Sequence, residues 1–171
     1  MPLRIPERLE TERLVLRQFT VEDHPDLHMY YSDEDCMRYT AGHAMTDWES
    51  WRAMATMVGH WQLRGYGPYA VEEKTTGRVA GPIGLWFPHE WPEPEIKYGM
   101  ARRFWGKGYA SEAVRAVRDM AADHLPELHL ISLIEHGNEG SVNVARAVGA
   151  RKEGDFELRG RSCHLYRHRR P

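Results

Sequence analysis

The sequence predicts a single α/β domain over residues 1–171, and three observations support that class. Segments in which apolar and polar residues alternate, as in strands, occur near both ends and in the middle of the chain. Between them lie segments with helical spacing of apolar residues, each with a recognisable start or stop signal. The order strand, glycine loop, helix, strand at 95–135 forms a βαβ unit, which requires one parallel pair of strands.

The first strand and the first helices are predicted in the N-terminal third. Apolar and polar residues alternate at the end of 9–19, which is typical of a strand. Thr20 can then cap a helix over 20–28, in which a proline is tolerated only near the first turn. A shorter helical segment follows at 34–38.

A long helix and a hairpin come next. Residues 46–49 have the composition of a capping box, and the helix that they open ends at Gly65, which can adopt a left-handed conformation. Residues 69–73 and 78–87 read as the two strands of a hairpin, in which Pro82 predicts an irregularity.

Four strands and two helices are predicted in the second half of the chain. The strands are 95–101, 128–135, 150–158 and 162–167. The helices are 109–124 and 141–148, and the first of them carries one continuous apolar stripe. Neither a linker nor an internal repeat divides the chain.

Charge and composition disfavour two classes of partner. The 23 basic and 25 acidic residues nearly cancel, so nucleic-acid binding through phosphate neutralisation is not expected. No stretch approaches the roughly 20 apolar residues of a membrane-spanning helix, and the first residues lack the apolar core of a signal peptide. The sequence therefore predicts a cytoplasmic protein that binds neither nucleic acid nor membrane.

The cysteines and histidines form no motif typical of a metal site. Cys36 and Cys163 are far apart and make no Cys-x-x-Cys pair, so we expect both to pack in the interior. His24 and His28 have helical i, i+4 spacing, but Pro25 follows His24 where a zinc motif would place Glu. We predict no metal and interpret this pair as surface residues at the start of a helix.

The glycine pair Gly106 and Gly108 lies between a predicted strand and the first turn of a helix. Unpaired N–H groups and the helix dipole make such a position suitable for an anion, above all phosphate or pyrophosphate. A Walker loop would need Ser or Thr after Lys107, and a dinucleotide fingerprint would need glycine in place of Ser111. Both are therefore disfavoured, although the pair taken alone also fits a tight turn.

A wider pattern around the glycines identifies a family. Residues 103–108, Arg-Phe-Trp-Gly-Lys-Gly, resemble the Gln/Arg-x-x-Gly-x-Gly/Ala loop of the GNAT superfamily of acetyltransferases. The longer run 105–113 looks like the ribosomal-protein N-acetyltransferase branch of that superfamily. So do Asn-Glu-Gly-Ser at 138–141, the helix and glycine at 145–150, and the opening strand 11–17. The resemblance covers almost the whole chain.

The resemblance implies a fold and an acetyl donor. The fold would be a mixed, mostly antiparallel sheet of about seven strands flanked by helices, in which the parallel strands 95–101 and 128–135 splay apart to admit acetyl-CoA. Backbone amides of the glycine loop would bind the pyrophosphate. Tyr98 and Met100 on one strand, and Asn138 and Asn143 after the other, would lie along the pantetheine arm. The implied binding residues are Tyr98, Met100, Arg103, Gly106, Lys107, Gly108, Tyr109, Ala110, Asn138 and Asn143.

Acetyl transfer to an amine needs a base, because an alkyl amine with a pKa near 10.4 is mostly protonated at pH 7. Glu95, on the strand that borders the implied cleft, is the first candidate, acting directly or through one water. It also fits an exposed residue at the start of a strand. Glu135 and His136, at the end of the facing strand, are the alternatives.

Negative charge develops on the oxyanion and on the departing thiolate, and both must be stabilised. Backbone amides near Met100 could serve the oxyanion. In the branch that this chain resembles, the serine of Asn-x-x-Ser lies close to the sulfur, which makes Ser141 the candidate donor to the thiolate. Ser141 also fits a helix N-cap, and Tyr166 is an alternative acid.

The implied activity is N-acetylation of a primary amine, on a protein N-terminus or a small molecule. A non-catalytic acyl-CoA-binding module is the alternative, and a homodimer is left open. Glu90 and Glu93, in the loop 87–95, would attract a cationic acceptor or form a solvated face. Five tryptophans are candidate walls of the acceptor pocket: Trp48, Trp51, Trp61, Trp86 and Trp91.

Overall fold

A computed structural model of the protein describes residues 2–171, which form one mixed sheet flanked by helices. The strands are β1 (Arg8–Glu10), β2 (Leu14–Arg17), β3 (Pro68–Glu73), β4 (Val79–Trp86), β5 (Glu95–Tyr98), β6 (Ile131–Glu135), β7 (Arg151–Leu158) and β8 (Arg161–Arg167). The α-helices are α1 (His24–Tyr31), α2 (Glu34–Met37), α3 (Asp47–Arg64), α4 (Tyr109–His124) and α5 (Glu139–Ala147). Two short 3₁₀ helices lie at Val21–Asp23 and Arg102–Phe104.

The strand order in the sheet is β1-β2-β3-β4-β5-β6-β8-β7, and only β5 and β6 run parallel. The predicted α/β class, with a mostly antiparallel sheet and one parallel pair, is confirmed. The sheet has eight strands where about seven were expected, because the segment 9–19 is not one strand. Thr11 N–H donates to Leu14 O at 3.0 Å, and this turn pairs β1 with β2 in an antiparallel hairpin.

The long helix that the sequence marked with caps at both ends begins and ends as predicted. Thr46 caps α3 in a reciprocal capping box with Glu49, and Gly65 ends the helix at φ 75°. The helix expected from Thr20 begins instead as the 3₁₀ turn and becomes α1 at His24. Pro25 then lies in the first turn of α1, where the missing N–H costs no hydrogen bond.

The end of α3 is tied to the sheet by two buried side chains. Trp61, 1% exposed, donates its indole N–H to Pro68 O at 2.9 Å. His60 Nδ1 lies 2.8 Å from Tyr66 O, while its Nε2 accepts from Phe87 N at 2.9 Å. These bonds fix the neutral tautomer, and burial lowers the pKa of His60. The start of β3 and the end of β4 are therefore held together from one side.

The centre of the sheet is irregular close to where Pro82 predicts it. The register between β3 and β4 shifts between Val71 and Glu72, opposite Gly81 rather than at the proline itself. A Cβ at Gly81 would lie 2.3 Å from Gly99 O, so only glycine allows the chain after β5 to approach β4 this closely.

Helices cover both faces of the sheet. A Cβ at Gly99 would overlap the Tyr30 hydroxyl of α1, whereas the adjacent Tyr98 reaches the Ser141 carbonyl of α5. Because neighbouring residues of an extended segment point to opposite faces, α1 and α5 lie on opposite sides. In the part of the chain that the structure describes, no helix combines the length and apolarity needed to cross a bilayer.

Candidate active site

The parallel strands β5 and β6 separate after a single paired position, Glu95 with Ile131. Ile131 N donates to Pro94 O at 3.0 Å, but further along the gap is bridged by side chains. Leu133 N donates to the Glu95 carboxylate at 3.2 Å, and Ser132 Oγ donates to Ile96 O at 2.8 Å. The two strands border a cleft of about 1180 Å³.

The glycine loop forms one wall of this cleft. Gly106 and Gly108 have φ of 73° and 77°, values that side chains disfavour. Gly108 is the N-cap of α4. The backbone N–H groups of 106–111 have no hydrogen-bond acceptor among residues 2–171. Consecutive unpaired donors at a helix N-terminus are the arrangement that binds phosphate groups.

Arg13, which precedes β2 and does not line the cleft, supports the glycine loop. Arg13 donates to Lys107 O at 2.8 Å and pairs with Glu112 of α4 at 2.7 Å. Its guanidinium lies 4.6 Å from the ring centroid of Tyr109. The first turn of α4 and the loop are thus fixed to each other without any contact inside the cleft.

A buried carboxylate provides a second support for the loop. Glu73 accepts from Tyr109 Oη at 2.7 Å and from Thr76 Oγ1 at 2.6 Å, and Lys107 Nζ lies 3.4 Å away. The hydroxyl groups of Thr76 and Tyr109 lower the pKa of Glu73 to about 2, so it is charged over the neutral range. Arg13, Glu73 and Glu112 were not singled out in the sequence.

Most of the residues expected at CoA line the cleft. They are Tyr98, Met100, Gly106, Gly108, Tyr109, Ala110, Asn138 and Asn143. The side chains of Arg103 and Lys107 do not line it: Arg103 lies over the Phe104 ring, 3.8 Å from Asp26, and Lys107 lies against Glu73. These two residues have only backbone groups to offer an anion at the loop.

The backbone at Met100 has one free group and one occupied group. Gly99 N and Ala101 N donate to β4, at 3.1 and 2.8 Å, so the N–H of Met100 points away from β4 toward the gap. It has no acceptor within the described residues. The Met100 carbonyl, by contrast, accepts from the Trp105 indole at 2.7 Å. The amide, not the carbonyl, is the group available to a ligand.

Ser141 and Tyr98 meet at the start of α5. Asn138, not Ser141, is the N-cap, because its Oδ1 accepts from Ser141 N at 3.2 Å. The interpretation of Ser141 as a cap is therefore wrong. Tyr98 Oη donates to the Ser141 carbonyl at 2.7 Å, and burial raises the pKa of Tyr98. The Ser141 hydroxyl has no partner in the described part of the chain, and the residue lines the cleft.

Glu95 is buried in the wall of the cleft, with only 8% of its surface exposed, so the interpretation of an exposed strand start is wrong. One carboxylate oxygen accepts from the Trp91 indole at 2.8 Å and the other from Leu133 N. Burial raises the pKa of Glu95 in spite of these donors. A buried carboxylate with a raised pKa is a stronger base than an exposed one.

The alternative acid and base residues are placed less favourably. Glu135 lines the cleft but pairs with Arg161 at 2.6 Å. His136 does not line the cleft and lies 3.0 Å from Asp155. Tyr166 is 3% exposed and likewise does not line it.

The loop between β4 and β5 is fastened by ion pairs. Arg159 binds Glu90 at 2.9 Å and lies 5.4 Å from the Trp91 ring centroid. Arg167 binds Glu93 in bidentate fashion, at 2.6 and 2.8 Å. The expectation that these two glutamates attract a cationic acceptor is not supported, because both are already paired.

The tryptophans divide between cleft, core and surface. Trp86 and Trp91 line the cleft, and His60 stacks on Trp86 at 4.8 Å. Trp61 is buried in the core. Trp48 and Trp51 are exposed and stack on each other at 5.8 Å, away from the cleft. Two of the five candidates therefore border the acceptor space.

Two groups of histidines lie outside the cleft. His24 and His28 both contact Ser50 Oγ, at 3.2 and 2.8 Å. A second group, not anticipated from the sequence, has its ligating atoms within 4.8 Å of one another: His136, Asp155 and His164. The pairing of β7 with β8 places Asp155 opposite His164, and the pairing of β6 with β8 brings His136 beside them. Lys152 also pairs with that aspartate, at 3.1 Å.

Comparison with known proteins places the fold and the cleft in a family. The family model described as an acetyltransferase (GNAT) domain matches residues 13–151, which include the glycine loop, Glu95 and Ser141. "Uncharacterized N-acetyltransferase p20" of Bacillus licheniformis is 32% identical over 166 residues, covering 94% of this chain and 93% of that protein.

Solved structures agree with this match. An acetyltransferase from Agrobacterium tumefaciens str. C58 superposes with a TM-score of 0.85 at 26% identity, over 96% of this chain and 95% of that one. The microcin C7 self-immunity acetyltransferase MccE, in complex with acetyl-CoA and AMP, shares the fold with a TM-score of 0.75 at 14% identity over 92% of each chain. The family that the glycine loop indicated is confirmed: the chain belongs to the GNAT acetyltransferases and is an N-acetyltransferase.

Proposed function

We propose that the protein transfers the acetyl group of acetyl-CoA to a primary amine, on a protein N-terminus or a small molecule, by direct attack on the thioester. One observation carries this proposal. The buried Glu95 carboxylate lies in the wall of the same cleft as the unpaired amides of 106–111. A base and an anion-binding loop are the two parts that an acetyl-CoA-dependent reaction on an amine requires.

The donor would lie along the loop and between the splayed strands. The amides of 106–111 receive the pyrophosphate, and the supports from Arg13 and Glu73 keep the loop in position before binding. Such pre-organisation lowers the cost of ordering the site when the ligand arrives. The pantetheine arm then lies between Met100 on one side and Asn138 and Asn143 on the other. MccE, a protein of the same fold, was solved in complex with acetyl-CoA, which supports the choice of donor.

The reaction can be followed from the amine. Glu95 removes one proton from the ammonium group, directly or through a water, and the free amine attacks the thioester carbonyl. The N–H of Met100 faces the gap and is placed to stabilise the oxyanion that forms. The C–S bond then breaks as the amide forms, and the nitrogen loses its second proton. Ser141 donates its hydroxyl proton to the thiolate and regains one from the nitrogen or from solvent.

Binding of acetyl-CoA and transfer of its acetyl group can be measured separately. Acetyl-CoA should raise the melting temperature, and a panel of primary amines should show release of free thiol. Glu95→Gln should lower turnover about 10²- to 10⁴-fold while leaving acetyl-CoA binding intact. Glu157→Gln, at an exposed position on β7, is the matched control and should behave as the parent.

Two results would contradict the proposal in different ways. Absence of any stabilisation by millimolar acetyl-CoA would remove the donor. Stabilisation without thiol release across the panel would favour a non-catalytic acyl-CoA-binding module. Such a module would need neither a buried carboxylate nor an unpaired serine hydroxyl in the cleft.

A further inference from the structure

Four cationic side chains line the cleft, and one of them differs from the others. Three are paired with carboxylates at 2.6 to 2.9 Å: Arg38 with Asp35, Arg159 with Glu90, and Arg161 with Glu135. The fourth, Lys97, has neither a carboxylate within 4.0 Å of its Nζ nor a hydrogen-bond acceptor among residues 2–171. Its charge acts on Glu95 only through space, so the ammonium group faces the cleft without a direct ion pair and is suited to bind an anionic ligand.

The position of Lys97 relates it to the acceptor. It lies two residues after Glu95 on β5, so both side chains start from the same face of the sheet, roughly 7 Å apart. The cross-strand partner of Glu95 is Trp86, and Lys97 Nζ lies 5.6 Å from the centroid of that ring. An amine held at Glu95 therefore has an aromatic wall beside it and an ammonium group at the other end.

Acetyl-CoA does not supply the missing negative charge. Its pantetheine arm is uncharged, and its phosphates belong at the amides of 106–111. The remaining ligand is the acceptor. A single lysine offers one positive charge, which balances a carboxylate, whereas a phosphate monoester carries about −1.5 to −2 and would keep uncompensated negative charge here.

We propose that the acceptor carries a carboxylate in addition to its reactive amine, with an apolar spacer between them, and that Lys97 is the residue that binds this carboxylate. The inference rests on the proposed function, since it concerns the second substrate of that reaction. It assigns Trp86 and Trp91 to the spacer, Glu95 to the amine and Lys97 to the far end. Specificity of this kind comes from a charge that is left unpaired when the wrong ligand binds.

The test compares acceptors that differ only in the carboxylate. One pair is 4-(aminomethyl)benzoate and benzylamine, and a second is 5-aminopentanoate and butylamine. At saturating acetyl-CoA, kcat/KM for at least one acid should exceed that of its matched amine about tenfold, as expected for a partly desolvated ion pair. Lys97→Met should abolish the preference, lowering kcat/KM for the acid far more than for its uncharged partner, and Lys97→Glu should reverse it. Lys74→Met, on the surface near Glu10, is the control and should keep the preference.

Binding measurements keep the inference testable if no acceptor is acetylated. Calorimetric titration of each compound into the CoA-bound protein should show tighter binding of the acid, and Lys97→Met should remove that difference. Equal kcat/KM and equal affinity for acid and amine in both pairs would overturn the inference while leaving the acetyltransferase proposal standing. An equal loss for acid and amine in Lys97→Met would also overturn it, because Lys97 would then act on Glu95 or on the fold.

Discussion

Replacing Trp91 by Phe removes the indole N–H that donates to Glu95 while keeping an aromatic ring in the cleft. The buried carboxylate then keeps a single donor, Leu133 N, which lies 3.2 Å away. Because a hydrogen bond stabilises the charged form more than the neutral form, its loss raises the pKa of Glu95 further. The variant therefore changes the pKa of the base without altering any atom of Glu95.

The size of the effect follows from the geometry of the lost bond. A hydrogen bond to a charged group contributes about 1.5–3 kcal/mol, and the 2.8 Å distance in a site that is 8% exposed is typical of such a bond. At a pH where Glu95 is mostly protonated, the ionised fraction should fall about 10- to 100-fold, since each 1.4 kcal/mol is a factor of ten. At a pH well above the pKa of both forms, Trp91→Phe and the parent should have similar kcat/KM.

The assay is thiol release as a function of pH, with kcat/KM for the acceptor as the readout. Trp91→Phe should shift the acid limb to higher pH and leave the alkaline plateau nearly unchanged. Glu95→Gln should remove that limb. An unshifted acid limb in Trp91→Phe would refute Glu95 as the base, and if kcat/KM then fell equally at every pH, Trp91 would be assigned to acceptor binding alone.

Three further predictions concern the loop and the scaffold. Gly108→Glu should abolish the stabilisation by acetyl-CoA in a thermal-shift assay. The substitution places a side chain at a residue with φ 77° and adds negative charge where the pyrophosphate is expected. An unchanged affinity for acetyl-CoA would exclude the loop as the binding site. Glu73→Gln should weaken acetyl-CoA binding by several-fold with the acceptor KM unchanged, as measured by calorimetry and steady-state kinetics; a parental acetyl-CoA affinity would show that the loop does not need this support. Because the folded protein lowers the pKa of His60, the neutral imidazole stabilises the fold above its unfolded pKa near 6.5, and this stabilisation is lost as the pH falls through the folded pKa. Urea unfolding should therefore show a smaller decrease in the free energy of unfolding from pH 7.5 to pH 5 for His60→Gln than for the parent. Equal decreases would refute this prediction.

Local signals predicted the helix and strands that border the cleft well. The bounds of α4 agree with the prediction to the residue, because Gly108 stops the preceding loop and the apolar stripe gives the helix its length. The parallel pair follows from the βαβ order, since such a crossover brings its strands side by side. Both depend on residues that are close in the sequence.

The parts that could not be predicted depend on contacts between distant residues. Arg13 and Lys107 are 94 positions apart, and no local pattern connects them. Glu90 and Glu93 lie in a loop with no local sequence pattern that predicts their partners. The arginines that pair with them come from β8 and the turn that precedes it, far along the chain. Ser141 also fitted a cap because serine is common there, but Asn138 competes for the same role, and periodicity cannot decide between them.

The splay of β5 and β6 limits how the acceptor range can change. Where a continuous parallel ladder would have another backbone bond, Leu133 N binds the side chain of Glu95, so the proposed base also serves as a spacer between the strands. A mutation that moved the two strands would displace the carboxylate as well. Room for larger acceptors would therefore come from the loop 87–94, which is held by two ion pairs with arginines rather than by backbone pairing, while the sheet stays fixed.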